Sequence, residues 1–219
     1  MRKTPVLSTW HLRITPRTEA ELCEKLEIAA DAEERKRYCE MLAGVRYDPQ
    51  HWLWYTNWAI ALRSNGTEVG EFSFKGPVNH RGEVEIGCMI RPERRRKGYA
   101  AEAVREMLRW AFRDEHVYFI MAETTPENVP SQKLLRKLGF SKTGKYGEEG
   151  PVFELEREPA VNRNRMMSLG VLFGISAGLL LLQNVQEGVV IGLLAGWLMG
   201  SFADAKDRRN RENLRQIRR

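Results

Sequence analysis

Arg95-Arg96-Lys97-Gly98-Tyr99-Ala100 joins an apolar run, Glu83–Ile90, that reads as a strand to a segment, Tyr99–Phe112, that reads as a helix. The first amides of a helix have no intrahelical partner, and the aligned peptide dipoles add about half a positive charge there. Gly98 lets the main chain come close to a bulky oxyanion, and Ala100 is small for the same reason. Arg95, Arg96 and Lys97 place cations around the rim, so the stretch suits a diphosphate-sized anion. The basic run Arg94–Lys97 also reads as a solvated surface. It is not G-x-G-x-x-G and no G-K-[ST] follows, so neither a dinucleotide fold nor an NTPase is supported.

Upstream, Leu12–Thr15 reads as a short strand closed by Pro16, and Thr18-x-x-Glu21 as a capping box opening a helix through about Ala30. A second helix is predicted over Ala32–Leu42, ending at Gly44. Trp58–Leu62, Val69–Phe74 and Val84–Ile90 form an antiparallel meander with turns at Ser64-Asn65-Gly66 and Asn79-His80-Arg81-Gly82. Val104, Leu108, Ala111 and Phe112 recur at helical spacing, so the helix after the loop buries one face. A strand over Tyr118–Ala122, a helix over Pro130–Leu138 and a closing hairpin of Phe140–Thr143 and Val152–Leu155 complete the domain. The fold class is α+β, a mostly antiparallel sheet of about seven strands with about four helices.

Two separated motifs carry a family resemblance. Arg95-x-x-Gly98-x-Ala100 resembles the [RQ]-x-x-G-x-[GA] acyl-CoA loop of the GNAT N-acetyltransferases. Asn128-x-x-Ser131, followed by Lys137-Leu138-Gly139-Phe140, is similar to that family's N-x-x-S and K-x-G-F signature. Ala101-Glu102-Ala103 resembles the branch containing the ribosomal-protein N-terminal acetyltransferases. The resemblance covers residues 8–158 and implies acetyl-CoA as co-substrate and a primary amine as acceptor. It implies that Arg95, Arg96, Lys97, Gly98, Tyr99 and Ala100 hold the diphosphate, and that the main chain of Cys88, Met89 and Ile90 pairs with the pantetheine arm. Asn128 is placed against the pantetheine or adenylate end.

Transfer needs an uncharged amine. A protein α-amine is about 10% neutral at pH 7, whereas a lysine-like amine is neutral about once in 2,500 molecules. Glu85, on the strand beside the thioester, is the first candidate base, with Glu83 and Glu71 behind it; Glu85 also reads as a solvated strand residue or a partner for Arg91. The family's tyrosine acid is replaced by Leu135, which leaves Ser131 as candidate acid or as a helix cap. Glu148 and Glu149 read as an attractor for a cationic amine or as an exposed turn. Tyr47, Trp52, Trp54 and Tyr55 read as core packing or as a wall of the acceptor pocket.

The formal charge is +6, and residues 206–219 carry seven Lys/Arg against Asp207 and Glu212, which leaves +1 for the rest. The basic balance thus describes a tail, and no nucleic-acid partner is expected. Cys23, Cys39 and Cys88 make no C-x-x-C pair, which fits a reducing compartment, and His11, His51, His80 and His116 are scattered, so no metal is expected. Met1-Arg2-Lys3 leads into polar sequence, so no signal peptide is expected.

Met166–Gln186 and Gly188–Ala203 carry no charge and would span about 31 Å and 24 Å as helices, against a hydrocarbon core of about 30 Å. Gly170, Gly174, Gly178, Gly188, Gly192, Gly196 and Gly200 recur every four residues within each tract, a spacing that lets helices approach closely in lipid. The pattern resembles a glycine-zipper transmembrane hairpin; a soluble helical hairpin or dimerisation arm is the other reading. Arg163 and Arg165 flank one end and Lys206, Arg208 and Arg209 the other, so the positive-inside rule puts the catalytic domain and both termini on the cytoplasmic side. The expected organisation is a catalytic domain over 1–160, a basic linker over 161–165, the hairpin over 166–205 and a basic tail over 206–219 that meets anionic lipid. Two other readings remain at this point: a non-catalytic acyl-CoA sensor or scaffold, and an oligomeric membrane assembly built by the zipper.

Overall fold

The computed structural model describes residues 4–159, 162–177, 179 and 184–218. Met1-Arg2-Lys3, Gly178 and the tract 180–183 lie outside the described residues, as do 160, 161 and Arg219. The chain divides into two compact units, Met1–Arg157 and Glu158–Arg219.

Unit 1 is an eight-stranded mixed sheet in the order β1-β2-β3-β4-β5-β6-β8-β7. Its strands are β1 (Leu7–Ser8), β2 (Leu12–Pro16), β3 (Asn57–Leu62), β4 (Glu68–Phe74), β5 (Glu83–Ile90), β6 (Phe119–Glu123), β7 (Ser141–Tyr146) and β8 (Pro151–Glu156). The helices are α1 (Glu19–Glu27), α2 (Ala32–Tyr47), α3 (Tyr99–Ala111) and α4 (Val129–Lys137). The strand count exceeds the expected seven because the two-residue β1 is too short to carry a period. Pro16 is the last residue of β2, so the strand ends there as expected.

The capping box forms as expected: Thr18 Oγ1 accepts from the Glu21 amide at 3.3 Å and Glu21 Oε2 accepts from the Thr18 amide at 2.7 Å. Gly44 does not stop α2. A Cβ there would lie 2.2 Å from Tyr55 Cδ1, so this glycine admits a neighbouring ring rather than ending the helix. β5 and β6 run parallel, which the α3 crossover makes possible, and every other pair in the sheet is antiparallel. One sheet face closes the core, where Val84, Ile86, Phe72, Phe74, Trp58 and Ile120 meet Ala103, Val104, Met107 and Leu108 of α3. Each large apolar side chain fully buried there contributes about 1.5–3 kcal/mol. β7 forms the outer edge, and its exposed Lys142 and Lys145 make that edge a poor template for further pairing.

Unit 2 contains α5 (Asn162–Ala177) and α6 (Val185–Ile217). They run antiparallel with glycine against glycine: a Cβ on Gly170 would sit 2.0 Å from the Gly192 carbonyl oxygen, and one on Gly174 2.2 Å from that of Gly188. α6 buries Gly188, Gly192, Gly196 and Gly200, while Phe173, Leu194 and Phe202 are exposed. Two sequence boundaries change. Val185 and Gln186 begin α6, where Asn184 Oδ1 caps the Gln186 and Glu187 amides, so Glu187 is a first-turn acid rather than an interruption. The residues expected as a basic tail continue α6, a helix of 33 residues, with Arg211 buried and its Nε 2.9 Å from Asp207 Oδ2.

Candidate active site

The loop after β5 is held from within. Arg91–Arg95 make a tight turn, with the Arg94 amide on the Arg91 carbonyl at 2.9 Å and the Arg95 amide on the Pro92 carbonyl at 3.3 Å. Arg95 Nε donates to the Ile90 carbonyl at 2.9 Å, so this side chain clamps the loop to the strand it leaves. Arg96 (φ 64°) and Gly98 (φ 84°) are both left-handed, and Arg96 is the one non-glycine residue with positive φ among the described residues. Such a conformation costs an L-residue about 1–2 kcal/mol. The turn delivers the chain into α3 with no side-chain cap at Gly98 and with open space where a Cβ would be. The helix N-terminus therefore faces outward, rimmed by exposed Arg96 and Lys97. Tyr99 and Ala100 instead pack against the core, so only their main chain is turned to the rim.

One turn further, Glu102 accepts from Thr9 Oγ1 at 2.5 Å, the His11 amide at 2.8 Å and His11 Nδ1 at 2.9 Å, which pins the β1–β2 corner to α3. Burial pushes the Glu102 carboxyl up, but these hydrogen bonds outweigh it and hold the group below the ordinary carboxylate value.

β5 has β6 beside it only along its first half. Its register with β6 runs from Glu83↔Phe119 to Ile86↔Ala122, while its register with β4 continues to Ile90↔Gly70. The Lys75 amide bonds the Glu85 carbonyl and the Arg91 amide bonds the Val69 carbonyl, so by ladder alternation Gly87 and Met89 also turn their polar groups to β4. Cys88 and Ile90 turn theirs to the gap that β6 leaves. Of the three residues expected along the pantetheine arm, Cys88 and Ile90 thus offer main-chain groups, with the Ile90 carbonyl already taken by Arg95. Met89 offers a side chain that is 48% exposed, Cys88 is exposed, and the Ile90 side chain is buried in the core.

Glu85 lies on the other sheet face from Val84 and Ile86. Lys75 Nζ stands 2.5 Å from Glu85 Oε1 and 3.0 Å from Glu149 Oε1, and the Glu149 amide bonds Glu123 Oε2 at 3.1 Å. Burial is the largest influence on Glu85 and raises its pKa; Lys75 opposes this while Glu123 and Glu149 reinforce it. The expected Arg91 partner is corrected: Arg91 pairs with Glu68 at 3.2 Å, and Lys75 takes its place at Glu85. Glu149 joins the Glu85 group through Lys75, and Glu148 is exposed in the same turn.

The weaker candidates are engaged elsewhere. Glu83 accepts from Asn79 Nδ2 at 3.0 Å. Glu71 sits among Arg17 (3.2 Å), Asn57 Nδ2 (2.9 Å) and the Tyr38 hydroxyl (3.4 Å), and burial followed by Glu71 pushes that phenol up to about 12. The helix cap expected of Ser131 belongs to Asn128, whose Oδ1 accepts from the Ser131 amide at 3.2 Å. Ser131 is the third residue of α4 and half-buried, and Leu135 is a core residue. The aromatic cluster divides: Trp54 stacks in the core, 4.6 Å from Phe74 and 4.8 Å from Trp110, whereas Tyr47 is exposed. Lys75 and Glu123 were not singled out from sequence; a hairpin register counted back from Asn79–Gly82 sets Lys75 opposite Ile86, one residue off the observed pairing of Phe74 with Ile86. Among the described residues, no group of three His, Cys, Asp or Glu side chains is placed to hold a metal.

The profile of the acetyltransferase (GNAT) domain matches residues 11–141, and the chain belongs to the GNAT acetyltransferase family. The Bacillus subtilis N-acetyltransferase YjdG is 37% identical over 94 residues, covering 43% of this chain and 56% of YjdG. YnaD of the same organism is 37% identical over 87 residues, covering 39% and 49%. The chain spans about half the length of the curated relatives it matches. Among solved structures, the ribosomal-protein-S5-alanine acetyltransferase of Vibrio fischeri superposes with a TM-score of 0.56 at 16% identity, over 70% of this chain and 97% of that one. Mycobacterium smegmatis RimJ in complex with CoA-disulfide gives 0.51 at 19% identity, over 73% and 89%. These structural likenesses bear on the fold. GNAT domains use acetyl-CoA.

Proposed function

We propose that the chain moves an acetyl group from acetyl-CoA to a primary amine, and that its C-terminal helices hold it at a membrane. One observation carries the catalytic half: the open edge of β5 leads from Glu85 to an uncapped helix N-terminus. The amides around Arg96–Ala100 would hold the diphosphate, and Cys88 and Ile90 the amide-bearing arm; the complex of RimJ with CoA-disulfide supports a CoA-type cofactor here. The Cys88 amide, turned to the gap, polarises the thioester oxygen. Glu85 takes the proton of the attacking amine, directly or through water, as the new C–N bond forms and the C–S bond breaks. Ser131 is the candidate donor to the departing thiolate, and Asn128 holds α4 in place through its cap. The acceptor is a protein N-terminus, a lysine or a small-molecule amine.

The test is free-thiol release from acetyl-CoA by the full chain over an amine panel. Turnover lost in Glu85→Gln with acetyl-CoA binding retained supports the reading; full turnover removes Glu85 from the role. Leu135 in the core in place of a family tyrosine favours a second reading, a non-catalytic acyl-CoA sensor, which binds the cofactor and releases no thiol with any amine.

The membrane half rests on α6, long and apolar enough to span a bilayer with a mean hydropathy of 1.5 over its most apolar stretch, and on the exposed apolar side chains of α5 and α6 around a glycine seam. Glycine meets glycine within one chain, so the seam serves intrachain packing. The basic end of α6 then lies on the cytoplasmic side beside anionic headgroups. Alkaline extraction tests the anchor: the full chain should stay with the membrane pellet and a chain ending at residue 157 should not.

A further inference from the structure

We infer that Lys75 is a positioning residue for the transfer, its ammonium tying the Glu85 carboxylate to the turn between β7 and β8 and fixing the charge and direction of the candidate base. This rests on the reading of Glu85 given above. Lys75 follows β4 directly, and its amide bonds the Glu85 carbonyl at 2.9 Å, so main chain and side chain both lock it to that residue. Its ammonium is shared, 2.5 Å from Glu85 and 3.0 Å from Glu149.

Glu149 is in turn fixed by its amide to Glu123 at 3.1 Å, and the turn lies so close to Glu123 that a Cβ on Gly147 would meet the carboxylate 1.9 Å away. The charged groups facing Glu85 are therefore Lys75 from the end of β4, Glu123 from β6 and Glu149 from the turn. Two of the three are carboxylates. Without Lys75 they would drive Glu85 toward its protonated form, which cannot accept a proton from an amine. Burial pushes the Lys75 ammonium down, but Glu85 and Glu149 outweigh it and hold it above its ordinary value, so it stays charged wherever the reaction runs.

The experiment compares the full chain with Lys75→Met and Lys75→Arg. The Glu85 carboxyl is titrated by carbon NMR on glutamate-labelled protein, its signal assigned by its loss in Glu85→Gln. Lys75→Met should raise the midpoint by about one pH unit and move the acid limb of kcat/KM with it, while Lys75→Arg keeps both near wild type. A merely structural role would change stability or the rate at all pH values and leave the midpoint alone. An unmoved midpoint in folded Lys75→Met overturns the inference, as does a midpoint that moves without the limb when Glu85→Gln has abolished turnover. Full turnover in Glu85→Gln removes Glu85 as the base, a failure of the earlier reading that is seen separately from the Lys75 titration.

Discussion

Gly98→Ala probes the proposed anion socket most directly, and the fold supplies its own control. Gly98 has φ 84° and Gly66, in the turn between β3 and β4, has φ 72°; a Cβ on either meets no atom within 4 Å. The two substitutions therefore carry the same intrinsic penalty, a left-handed alanine costing about 1–2 kcal/mol, and neither adds a clash inside the protein. Both variants should lose a similar amount of thermal stability. They should differ in cofactor binding alone. At Gly98 the new methyl group stands where the diphosphate approaches the α3 amides, and a lost hydrogen bond to a charged oxygen is worth about 1.5–3 kcal/mol, roughly ten- to hundredfold in Kd. Calorimetry of acetyl-CoA binding to the full-length wild type, Gly98→Ala and Gly66→Ala reads the difference. Gly66→Ala should match wild type and Gly98→Ala should not. If both variants bind as tightly as wild type, the diphosphate does not lie against Gly98 and the socket is misplaced.

Restoring a tyrosine by Leu135→Tyr should not raise turnover, because residue 135 points into the core; overpacking should cost about 1–3 kcal/mol in a denaturant titration, and a gain in kcat would count against the present placement. Glu102 has a lowered pKa, so its bonds to Thr9 and His11 add stability above the ordinary value of 4.5 and lose it as pH falls through the lower folded value. The thermal midpoint of Glu102→Gln should thus lie below wild type at neutral pH and converge with it in acid; a gap that persists there would refute the linkage. In Gly170→Val the Cβ would start 2.0 Å from the Gly192 carbonyl oxygen where ordinary contact begins at 3.4 Å, so α5 and α6 must part by about 1.4 Å or more. Pulsed-EPR distances between labels at exposed Leu172 and Leu194 should lengthen, and an unchanged distribution would refute the seam.

What could be read from sequence was local. Thr18 and Glu21 are three residues apart and satisfy each other's backbone, so their box is written in adjacent letters and forms as read. The Arg95–Ala100 turn is likewise short, and its glycine has the left-handed conformation that the residue type advertises. Gly44 carries the same letter for another reason, the Tyr55 ring beside it, and nothing within a turn of it says so. The basic end of α6 lacks helix breakers, and Asp207 and Arg211 form an (i, i+4) pair along it, a signal outweighed by its charge. The least legible part is the setting of Glu85. Its neighbours come from positions 75, 123 and 149, brought together by strand order β4-β5-β6-β8, and that order is a property of the whole sheet.

The same sheet explains why the candidate chemistry sits where it does. Up to Ile86, β5 pairs with β6, and from Ile86 onward it pairs with β4. Beyond that residue β4 continues and β6 does not, so the main-chain groups of Cys88 and the amide of Ile90 face a gap that suits a partner lying along a strand. An extended chain with amides in it fits there and a compact molecule does not. The gap ends at a helix start that favours anions, so the occupant must be amide-bearing at one end and strongly negative at the other. Coenzyme A has that order of groups, and the proposed reading lays it along the gap with the acyl end toward Glu85. The catalytic proposal is thus a consequence of one strand that stops short of its neighbour, and it stands or falls with that edge rather than with any single charged side chain.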